Sequence, residues 1–414
     1  MVRAGGAKNS VLKLMVACLL AEGRHVLTGV PRITDVDIMA DLLVAVGARV
    51  ERLTTGDLVV ESPAELRPEA PYDLVERIRA SIVVLGPLLA RTGSVRIALP
   101  GGDDFGPRPI DLHLSGMEAL GATFGSAHGY VEGSVPESLG TGRRLRGGRI
   151  VLEYPSHTAT DNLLMAAVLA RGTTVIENAA REPEIVDLAA MLNAMGARVT
   201  GAGTSRLEIE GVGELHPVEH QVIPDRVVAA TFFAAVGLAA GRVVVEDARF
   251  DHMDMLVRKL GEIGVHVTRG PSGLLAERSR GSRRPTSVDV ATLPYPGVAT
   301  DYKPLLVTLM SVADGVSIVS ENLFAGRFRY IDQLVRMGAD IRTEGHHAVV
   351  RGVPRLSGAQ VRAPDLRGGA ALVLAGLVAD GETLVTDAHH VDRGYEDLAG
   401  KLSGLGADVS RKEI

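Results

Sequence analysis

Four segments of the chain combine charged side chains with turn residues, and each could bind a small anion or move a proton. The first is Gly5-Gly6-Ala7-Lys8-Asn9-Ser10, in which a lysine stands where an apolar helical run begins. Backbone N–H groups at a helix N-terminus attract anions, and a lysine there strengthens the attraction. A lysine near a helix start is also common and usually solvated, so this segment alone is a weak indication.

The second segment, residues 99–113, contains three glycines and three prolines, which indicates a loop of special geometry. It carries adjacent carboxylates at Asp103 and Asp104, together with Arg108. Loops of this kind frequently carry function, because catalytic and binding residues are concentrated on them.

The third and fourth segments each place an aspartate close to an arginine: Asp365 with Arg367, and Asp392 with Arg393. Either pair could be a surface ion pair and nothing more. Taken together, the four segments supply cations that bind phosphate or carboxylate, and carboxylates that transfer protons when burial raises their pKa. The chain lacks a dinucleotide fingerprint, a P-loop and a nucleophile elbow, which argues against hydride transfer, kinase and serine-hydrolase chemistry.

A six-fold internal repeat must position these segments. Each unit has an apolar helical run that ends in glycine, a β-branched strand, an amphipathic helix, a second glycine and a further strand. The two glycines of successive units are Gly23 and Gly47, Gly93 and Gly121, Gly172 and Gly196, Gly241 and Gly264, Gly315 and Gly338, and Gly381 and Gly406. The pattern predicts strands at Thr173–Ile176 and Arg242–Val245 and a helix at Ile185–Met195.

The first helix of each unit is apolar nearly all round, which indicates burial on every side. A chain of 414 residues exceeds one ordinary core, so two domains are expected. We therefore predict an α/β fold of two inside-out domains, each of three repeated strand-helix units with buried helices and outer sheets. The first domain would span residues 7–222 and carry the catalytic loop, and the second would span 223–414 with residues 1–6. A solenoid scaffold without chemistry is the alternative, but the period is long for one.

The composition of the chain limits the classes of binding partner that are expected. A net charge of -6, an aromatic content of 3% and the absence of tryptophan argue against nucleic-acid and anionic-membrane binding. The single cysteine, Cys18, lies in an apolar run and is expected in the core, as in a protein of the reducing cytoplasm. The apolar runs are shorter than the ~18 residues of a membrane span. No metal-ligand spacing is present, and we predict no metal, cofactor or protein partner.

The motifs around Lys8-Asn9, Asp103 to Arg108, Asp365-Leu-Arg367 and Asp392-Arg393 resemble those of the UDP-N-acetylglucosamine 1-carboxyvinyltransferases, over about residues 5–411. The resemblance implies transfer of the enolpyruvyl group of phosphoenolpyruvate to the 3-hydroxyl of UDP-N-acetylglucosamine. The reaction would pass through a tetrahedral phospho-lactyl intermediate and release phosphate. It would be the first committed step of peptidoglycan precursor synthesis, in the cytoplasm.

The resemblance also implies roles for individual residues. The clamp on phosphoenolpyruvate would comprise Lys8, Arg79, Arg108 and Arg393. Asp301 would accept the proton of the attacking hydroxyl, Asp103 would deliver a proton to the methylene carbon, and Asp365 would lie near the reacting centre. Further substrate contacts are implied for Asn9, Pro109, Ile110, Asp111, Leu112, His113, Ser156, Leu323 and Arg367.

Several departures from the family's usual pattern affect the acceptor side. The usual Ser-Val-Gly-Ala-Thr reads Ser156-His157-Thr158-Ala159-Thr160, and further changes fall at Thr34, Val298-Ala299 and Ala325-Gly326. Two alternatives therefore stay open: a relative that uses another uridine nucleotide, such as UMP in nucleoside-antibiotic pathways, or a non-catalytic nucleotide-binding paralogue. The chain also begins about a dozen residues late relative to the family, and the usual leading strand of the second domain is expected to be missing.

Asp103 generates a first prediction, because many family members carry cysteine at this position. The protonated carboxyl group of an aspartate can deliver a proton, but the epoxide fosfomycin does not alkylate an aspartate as it alkylates a thiolate. Incubation with fosfomycin should leave the rate of phosphate release unchanged. Complete, time-dependent inactivation would refute the assignment of Asp103.

Overall fold

The computed structural model describes residues 1–101, 109–140, 142–279, 281, 284–324 and 326–412. These residues form two compact units, which are described separately. The N-terminal unit comprises residues 6–101 and 109–223, and the C-terminal unit comprises residues 1–5, which include strand β1 (Val2–Arg3), and residues from 224 onward. None of the described helices is both long enough and apolar enough to cross a bilayer.

The N-terminal unit contains three helices that are buried along nearly their whole length and four that are more exposed. The helices are α1 (Lys8–Ala17), α2 (Thr34–Ala45), α3 (Tyr72–Val75), α4 (Leu85–Thr92), α5 (Asp111–Ala119), α6 (His157–Ala167) and α7 (Pro183–Ala194). The buried helices are α1, α4 and α6, and turns of 3-10 helix at Cys18–Leu20 and Arg79–Val84 extend α1 and precede α4. These helices carry apolar side chains on every face, which explains their central position.

Three four-stranded sheets surround these helices. The strands are β2 (Gly23–Thr28), β3 (Arg49–Arg52), β4 (Leu58–Ser62), β5 (Glu69–Ala70), β6 (Ser94–Ala98), β7 (Thr123–Ala127), β8 (Tyr130–Ser134), β9 (Arg149–Val151), β10 (Thr173–Glu177), β11 (Arg198–Thr200), β12 (Arg206–Glu210) and β13 (Glu219–Gln221). The strand orders are β13-β2-β4-β3, β5-β6-β8-β7 and β9-β10-β12-β11. In each sheet a leading strand pairs in parallel with the first strand, and the third strand lies antiparallel between the first and the second.

The C-terminal unit repeats this plan. Its helices are α8 (Arg226–Ala239), α9 (Asp254–Ile263), α10 (Lys303–Ser311), α11 (Arg329–Arg336), α12 (Leu366–Gly376), α13 (His389–Asp392) and α14 (Leu398–Gly404). Helices α8, α10 and α12 pack on one another in the core.

The strands of the C-terminal unit are β14 (Gly241–Glu246), β15 (His266–Arg269), β16 (Gly273–Arg278), β17 (Val290–Ala291), β18 (Val316–Ser320), β19 (Asp340–Glu344), β20 (His347–Arg351), β21 (Leu356–Ser357), β22 (Gln360–Arg362), β23 (Ala379–Asp380) and β24 (Leu384–Thr386). Two sheets are four-stranded, in the orders β1-β14-β16-β15 and β17-β18-β20-β19. The remaining strands form only two parallel pairs, β21 with β23 and β22 with β24.

The predicted α/β fold with buried helices and outer sheets is confirmed. The predicted strands at 173–176 and 242–245 correspond to β10 and β14, and the helix predicted at 185–195 is α7. Cys18 is fully buried, as expected, and burial raises the pKa of its thiol.

Two expectations were wrong. The sequence interpretation missed the third strand of each four-stranded sheet, which follows the second strand after a tight turn such as the one at Gly345, where φ is 57°. The leading strand of the second domain, expected to be missing, is present as the two-residue strand β1, which pairs in parallel with β14.

The packing of the central helices generates a stability prediction. Leu309 on α10 is fully buried in the core of the C-terminal unit, so Leu309→Ala removes apolar contacts and leaves a cavity. We expect the free energy of unfolding to fall by about 2–5 kcal/mol, measured by urea denaturation. Leu293→Ala, at a leucine that is 49% exposed, is the control and should change it by less than about 1 kcal/mol. Equal losses for the two variants would contradict the assigned core.

Candidate active site

In the N-terminal unit, Lys8 is the first residue of α1, and its position is fixed by a partner that the sequence interpretation missed. The Lys8 Nζ lies 2.7 Å from Oδ2 of Asp35, in the first turn of α2, and both side chains are almost completely buried. Removing one member of such a pair leaves a buried charge without compensation, so the pair stabilises a single geometry. The available signal was an acidic residue in a helix's first turn, but nothing in the sequence connects it to Lys8.

Further along α1, Lys13 supports Asn9 and belongs to a second buried ion pair. The Lys13 Nζ donates a hydrogen bond to the backbone carbonyl of Asn9 and lies 3.6 Å from Oδ2 of Asp161. The His157 Nε2 also lies 3.6 Å from that oxygen. Burial raises the pKa of Asp161 to about 7, against the opposing effect of Lys13. Asn9 itself is half-buried.

The glycine-rich loop is anchored at both of its ends by Arg79. The Arg79 Nη2 donates to the carbonyl of Pro109 at 3.1 Å, and Nη1 donates to the carbonyl of Pro100 at 3.5 Å. A Cβ at Gly101 would lie 1.9 Å from the carbonyl oxygen of Glu76, so only glycine fits there. Asp103 and Arg108 lie outside the described residues, and their roles remain predictions.

The two segments implied to bind the acceptor nucleotide meet at His113. This ring is buried, with Nδ1 2.9 Å from Asn162 Nδ2 and Nε2 3.5 Å from Thr158 Oγ1. Burial, and then the charge of Arg79, lower the pKa of His113 to about 3, so the ring is neutral. The hydroxyl of Ser156 accepts a hydrogen bond from the backbone N–H of Ala159 and caps α6.

In the segment 109–113, the residues other than His113 differ in exposure. Pro109 and Asp111 are exposed, Leu112 is half-buried and Ile110 is buried; Asp111 is the first residue of α5. Only Pro109, Asp111 and Leu112 therefore have side chains accessible enough to contact a ligand directly in this conformation. Ile110 and His113 fix the backbone of the segment from inside the unit.

In the C-terminal unit, Asp301 lies between two buried arginines. Its Oδ1 is 2.7 Å from Arg327 Nη1, and its Oδ2 is 3.4 Å from Arg367 Nε. Asp301 is 23% exposed, whereas the arginine side chains are 4% and 1% exposed. The arrangement presents a partly exposed carboxylate between two guanidinium groups, which can accept a hydrogen bond and a proton.

The two arginines remain charged despite their burial. Burial opposes the charge of Arg327, but Asp301 and Asp365 outweigh it and raise its pKa. Burial likewise opposes the charge of Arg367, but Tyr395 and Asp301 raise its pKa on balance. The Arg367 Nη1 and Nη2 have no hydrogen-bond partner among the described residues, and the guanidinium lies 5.2 Å from the centroid of the Tyr395 ring.

A fully buried ion pair stabilises the cluster of Asp301, Arg327 and Arg367. The Lys303 Nζ lies 2.8 Å from Oε2 of Glu321, and burial lowers the pKa of Lys303 to about 8 although Glu321 opposes the change. Thr300 connects the pair to the cluster, because its hydroxyl donates to Glu321 and accepts from Arg327 Nη1 at 3.1 Å. Glu321 also accepts from the backbone N–H of Leu323 at 2.9 Å. The sequence interpretation found neither Lys303 nor Glu321.

Asp365 is the N-cap residue of α12. Its Oδ1 accepts hydrogen bonds from the backbone N–H groups of Arg367 and Gly368, both at 2.9 Å, and so caps α12. The alternative of a surface Asp365–Arg367 pair is wrong, because Asp365 and Arg367 are both buried and the guanidinium of Arg367 pairs with Asp301. Asp365 as a residue near the reacting centre remains a prediction.

Arg393 follows α13 directly and is half-buried. The neighbouring carboxylate, Asp392, is engaged by Arg411, whose Nη2 lies 2.7 Å from its Oδ2. The structure thus brings Asp301, Arg367, Leu323 and Asp365 into one network of the C-terminal unit, and Arg393 stands at the end of a short helix that contacts α12.

Comparison with known proteins identifies the family of the chain. The family model described as EPSP synthase (3-phosphoshikimate 1-carboxyvinyltransferase) matches residues 1–402. A protein of Symbiobacterium thermophilum named UDP-N-acetylglucosamine 1-carboxyvinyltransferase 1 is 50% identical, in an alignment that covers 99% of this chain and 92% of that protein. A UDP-N-acetylglucosamine 1-carboxyvinyltransferase of Mycolicibacterium paratuberculosis is 49% identical over 100% of this chain and 96% of its own length.

Two solved structures of enolpyruvyl transferases are also similar to this chain. The enolpyruvyl transferase NikO from Streptomyces tendae superposes with a TM-score of 0.87 at 26% identity, over 99% of this chain and 95% of its own. EPSP synthase from Acinetobacter baumannii shares the fold, with a TM-score of 0.74 at 20% identity, over 99% of this chain and 96% of its own. The chain belongs to the enolpyruvyl (carboxyvinyl) transferase family and is an enzyme of that class.

The buried carboxylate of Asp161 generates a pH prediction. Its pKa in the folded chain, about 7, exceeds the ordinary value of 3.8, so between these pH values the folded state binds more protons than the unfolded state. The stability it contributes is complete below about pH 4 and is lost as pH rises through 7. The unfolding free energy of the wild type should therefore fall relative to that of Asp161→Asn, by up to about 1.4 kcal/mol per pH unit between pH 5 and 7.

Urea denaturation of both proteins at pH 5, 6, 7 and 8 measures this difference. Asp332→Asn, at an exposed aspartate of α11, is the matched control and should show no such trend. A difference between wild type and Asp161→Asn that is constant from pH 5 to 8 would show that Asp161 does not titrate in this range.

Proposed function

We propose that this enzyme transfers the enolpyruvyl group of phosphoenolpyruvate to the 3-hydroxyl of UDP-N-acetylglucosamine and releases phosphate. The reaction would be the first committed step of peptidoglycan precursor synthesis, in the cytoplasm. The observation that carries the proposal is the carboxylate of Asp301, partly exposed and fixed between Arg327 and Arg367. Relatives about 50% identical over nearly the whole chain carry the name of this activity.

In the proposed first step, Asp301 accepts the proton of the acceptor hydroxyl as its oxygen bonds to C2 of phosphoenolpyruvate. A second acid, for which Asp103 is proposed, protonates the methylene carbon. Lys8 and Arg393, with Arg108, hold the phosphate and carboxylate groups, and the buried guanidinium of Arg367 adds positive charge beside Asp301. Such cations stabilise the charge that develops in the transition state.

In the second step, the phospho-lactyl intermediate loses a proton from its methyl group and expels phosphate, which restores the carbon–carbon double bond on the acceptor. The step needs no redox partner, since the electron pair of the broken C–H bond forms the double bond and the phosphate leaves with the C–O electron pair. The arginine pair beside Asp301 suits a carboxylate that is charged before the reaction and must accept a proton only transiently.

The acceptor assignment is supported by the contact between the segment 109–113 and the start of α6. His113 lies between Asn162 and Thr158 and orients both chain segments at one place in the N-terminal unit. The relatives named for UDP-N-acetylglucosamine are 47–50% identical to this chain, whereas NikO is 26% identical. UMP as acceptor remains the second candidate, because His157 and Thr158 replace the family's usual residues at the start of α6.

The test is an assay of phosphate release from phosphoenolpyruvate in the presence of UDP-N-acetylglucosamine, UDP or UMP. We expect turnover with UDP-N-acetylglucosamine and background rates with UDP and UMP. Asp301→Asn should lower kcat by about 10²–10⁴-fold, because it removes the proton acceptor. Asp332→Asn, in the same unit, should retain full activity.

Turnover with UMP alone would replace the proposed acceptor. Background rates with every nucleotide, in a protein that still binds them, would identify a non-catalytic paralogue. Full activity of Asp301→Asn would remove Asp301 from the mechanism while leaving the substrate assignment intact.

A further inference from the structure

Tyr395 is a buried residue of the C-terminal unit to which the proposed mechanism gives no role. It lies two residues after Arg393, in the turn that follows α13, and only 3% of it is exposed. A buried tyrosine usually has a hydrogen-bond partner for its hydroxyl, because an unpaired hydroxyl in the core is unfavourable. The partner of Tyr395 therefore indicates which element the turn is attached to.

The hydroxyl of Tyr395 joins this turn to the central helix α8. Its oxygen lies 2.9 Å from Oγ1 of Thr231, which is fully buried in α8. The hydroxyl of Thr231 donates to the backbone carbonyl of Val227, also at 2.9 Å. Since a hydroxyl has only one proton, Tyr395 is the donor to Thr231, and the direction of both bonds is fixed.

On the other side of Arg393, Val391 joins the turn to α12. The backbone N–H groups of Gly394 and Tyr395 both donate to the carbonyl of Val391, at 3.1 and 3.0 Å. A Cβ at Gly369 of α12 would lie 2.7 Å from Cγ2 of Val391, so the glycine permits the close approach of the two helices. The backbone of Arg393 is thus held between two buried side chains, one on α12 and one on α8.

The ring of Tyr395 also contacts the arginine beside the candidate proton acceptor. The guanidinium carbon of Arg367 lies over the ring, 5.2 Å from its centroid, a distance at which a cation is attracted to an aromatic face. The Nε of the same guanidinium lies 3.4 Å from Oδ2 of Asp301. One side chain therefore connects the turn that carries Arg393 to the arginine that flanks Asp301.

We propose that Tyr395 is a positioning residue for the transfer reaction. Its hydroxyl fixes the backbone of Arg393, and its ring fixes the guanidinium of Arg367 beside Asp301. This assignment rests on the proposed function, in which Arg393 binds phosphoenolpyruvate and Asp301 accepts the proton. Because Tyr395 is buried, it acts through the two arginines, and its two contacts have separate consequences: the hydroxyl affects the binding of phosphoenolpyruvate, and the ring affects proton transfer.

Tyr395→Phe tests the hydroxyl, because it removes one hydrogen bond and keeps the ring. A looser turn holds Arg393 in the binding position for a smaller fraction of the time, which lowers the apparent affinity. The KM for phosphoenolpyruvate should rise about two- to ten-fold, the range of one neutral buried hydrogen bond, while kcat and the KM for UDP-N-acetylglucosamine stay at their wild-type values. Thr231→Val removes the same bond from the other side, so the double variant should be no worse than either single variant.

Tyr395→Leu tests the ring, because it keeps an apolar side chain but removes both the aromatic face and the hydroxyl. The KM for phosphoenolpyruvate should rise as in Tyr395→Phe. In addition, kcat should fall by about two- to ten-fold, because Arg367 loses a contact that holds it beside Asp301. A kcat of Tyr395→Leu equal to that of Tyr395→Phe would overturn the role of the ring.

Two variants at buried residues of the same unit are matched controls. Tyr330→Phe removes a buried tyrosine hydroxyl that has no hydrogen-bond partner among the described residues. Thr308→Val removes the hydroxyl of a buried threonine on α10, which donates to the backbone carbonyl of Pro304 as Thr231 does to Val227. Both controls should retain the wild-type kcat and both KM values.

Isothermal titration calorimetry of phosphoenolpyruvate with the full chain separates the possible failures. A wild type that binds phosphoenolpyruvate but does not turn over would contradict the proposed function, and the Kd values would then give the same comparison of variants. Unchanged affinity in folded Tyr395→Phe, additive effects of Tyr395→Phe and Thr231→Val, or equal changes in KM for both substrates would each overturn the role of Tyr395. A wild type that does not bind phosphoenolpyruvate would overturn both proposals.

Discussion

The constraint on which the structure depends is the burial of its central helices. A buried helix leaves its first N–H groups without intrahelical partners and without water, so other groups of the chain must satisfy them. In three of the six central helices a side chain does this: Asp225 at the start of α8, Asp365 at α12 and Ser156 at α6. Helices α4 and α10 instead continue directly from turns of 3-10 helix.

Three of the candidate catalytic residues, Lys8, Asp301 and Asp365, lie at or beside helix starts. Lys8 is the first residue of α1, and Asp301 lies in the turn before α10. Each is held by an oppositely charged group that is itself buried: Asp35 for Lys8, and Arg327 for Asp301. Fixing charged side chains in this way before substrate arrives avoids reorganisation during the reaction, which is the basis of electrostatic catalysis by preorganised groups.

The periodic glycines predicted the fold well because they report local geometry. Gly172 and Gly196, for example, each adopt positive φ and bracket β10 and α7. The third strands were missed because only a short turn separates each of them from the second strand. Side chains alternate with the same two-residue period in both strands, so the sequence shows one continuous strand pattern. The burial of the central helices could be predicted because their sequences are apolar nearly all round.

The site was predictable only where a motif resembled a known family. Asp35, Arg327 and Glu321 were missed because their contacts are long-range, and a lone charged residue in sequence is indistinguishable from a solvated one. Arg327 meets Asp301 from 26 residues away, and Glu321 meets Lys303 only in the folded core. His113 shows the converse: its place in a binding motif was readable, but its burial against Asn162 depends on how α5 packs on α6.

The most direct measurement is a crystal structure of the enzyme with UDP-N-acetylglucosamine and an unreactive analogue of phosphoenolpyruvate. The mechanism requires the 3-hydroxyl of the sugar within about 3 Å of a carboxylate oxygen of Asp301. It also requires that oxygen to retain its bonds to the two arginines. An acceptor bound with its hydroxyl remote from Asp301, and directed at another base, would contradict the account.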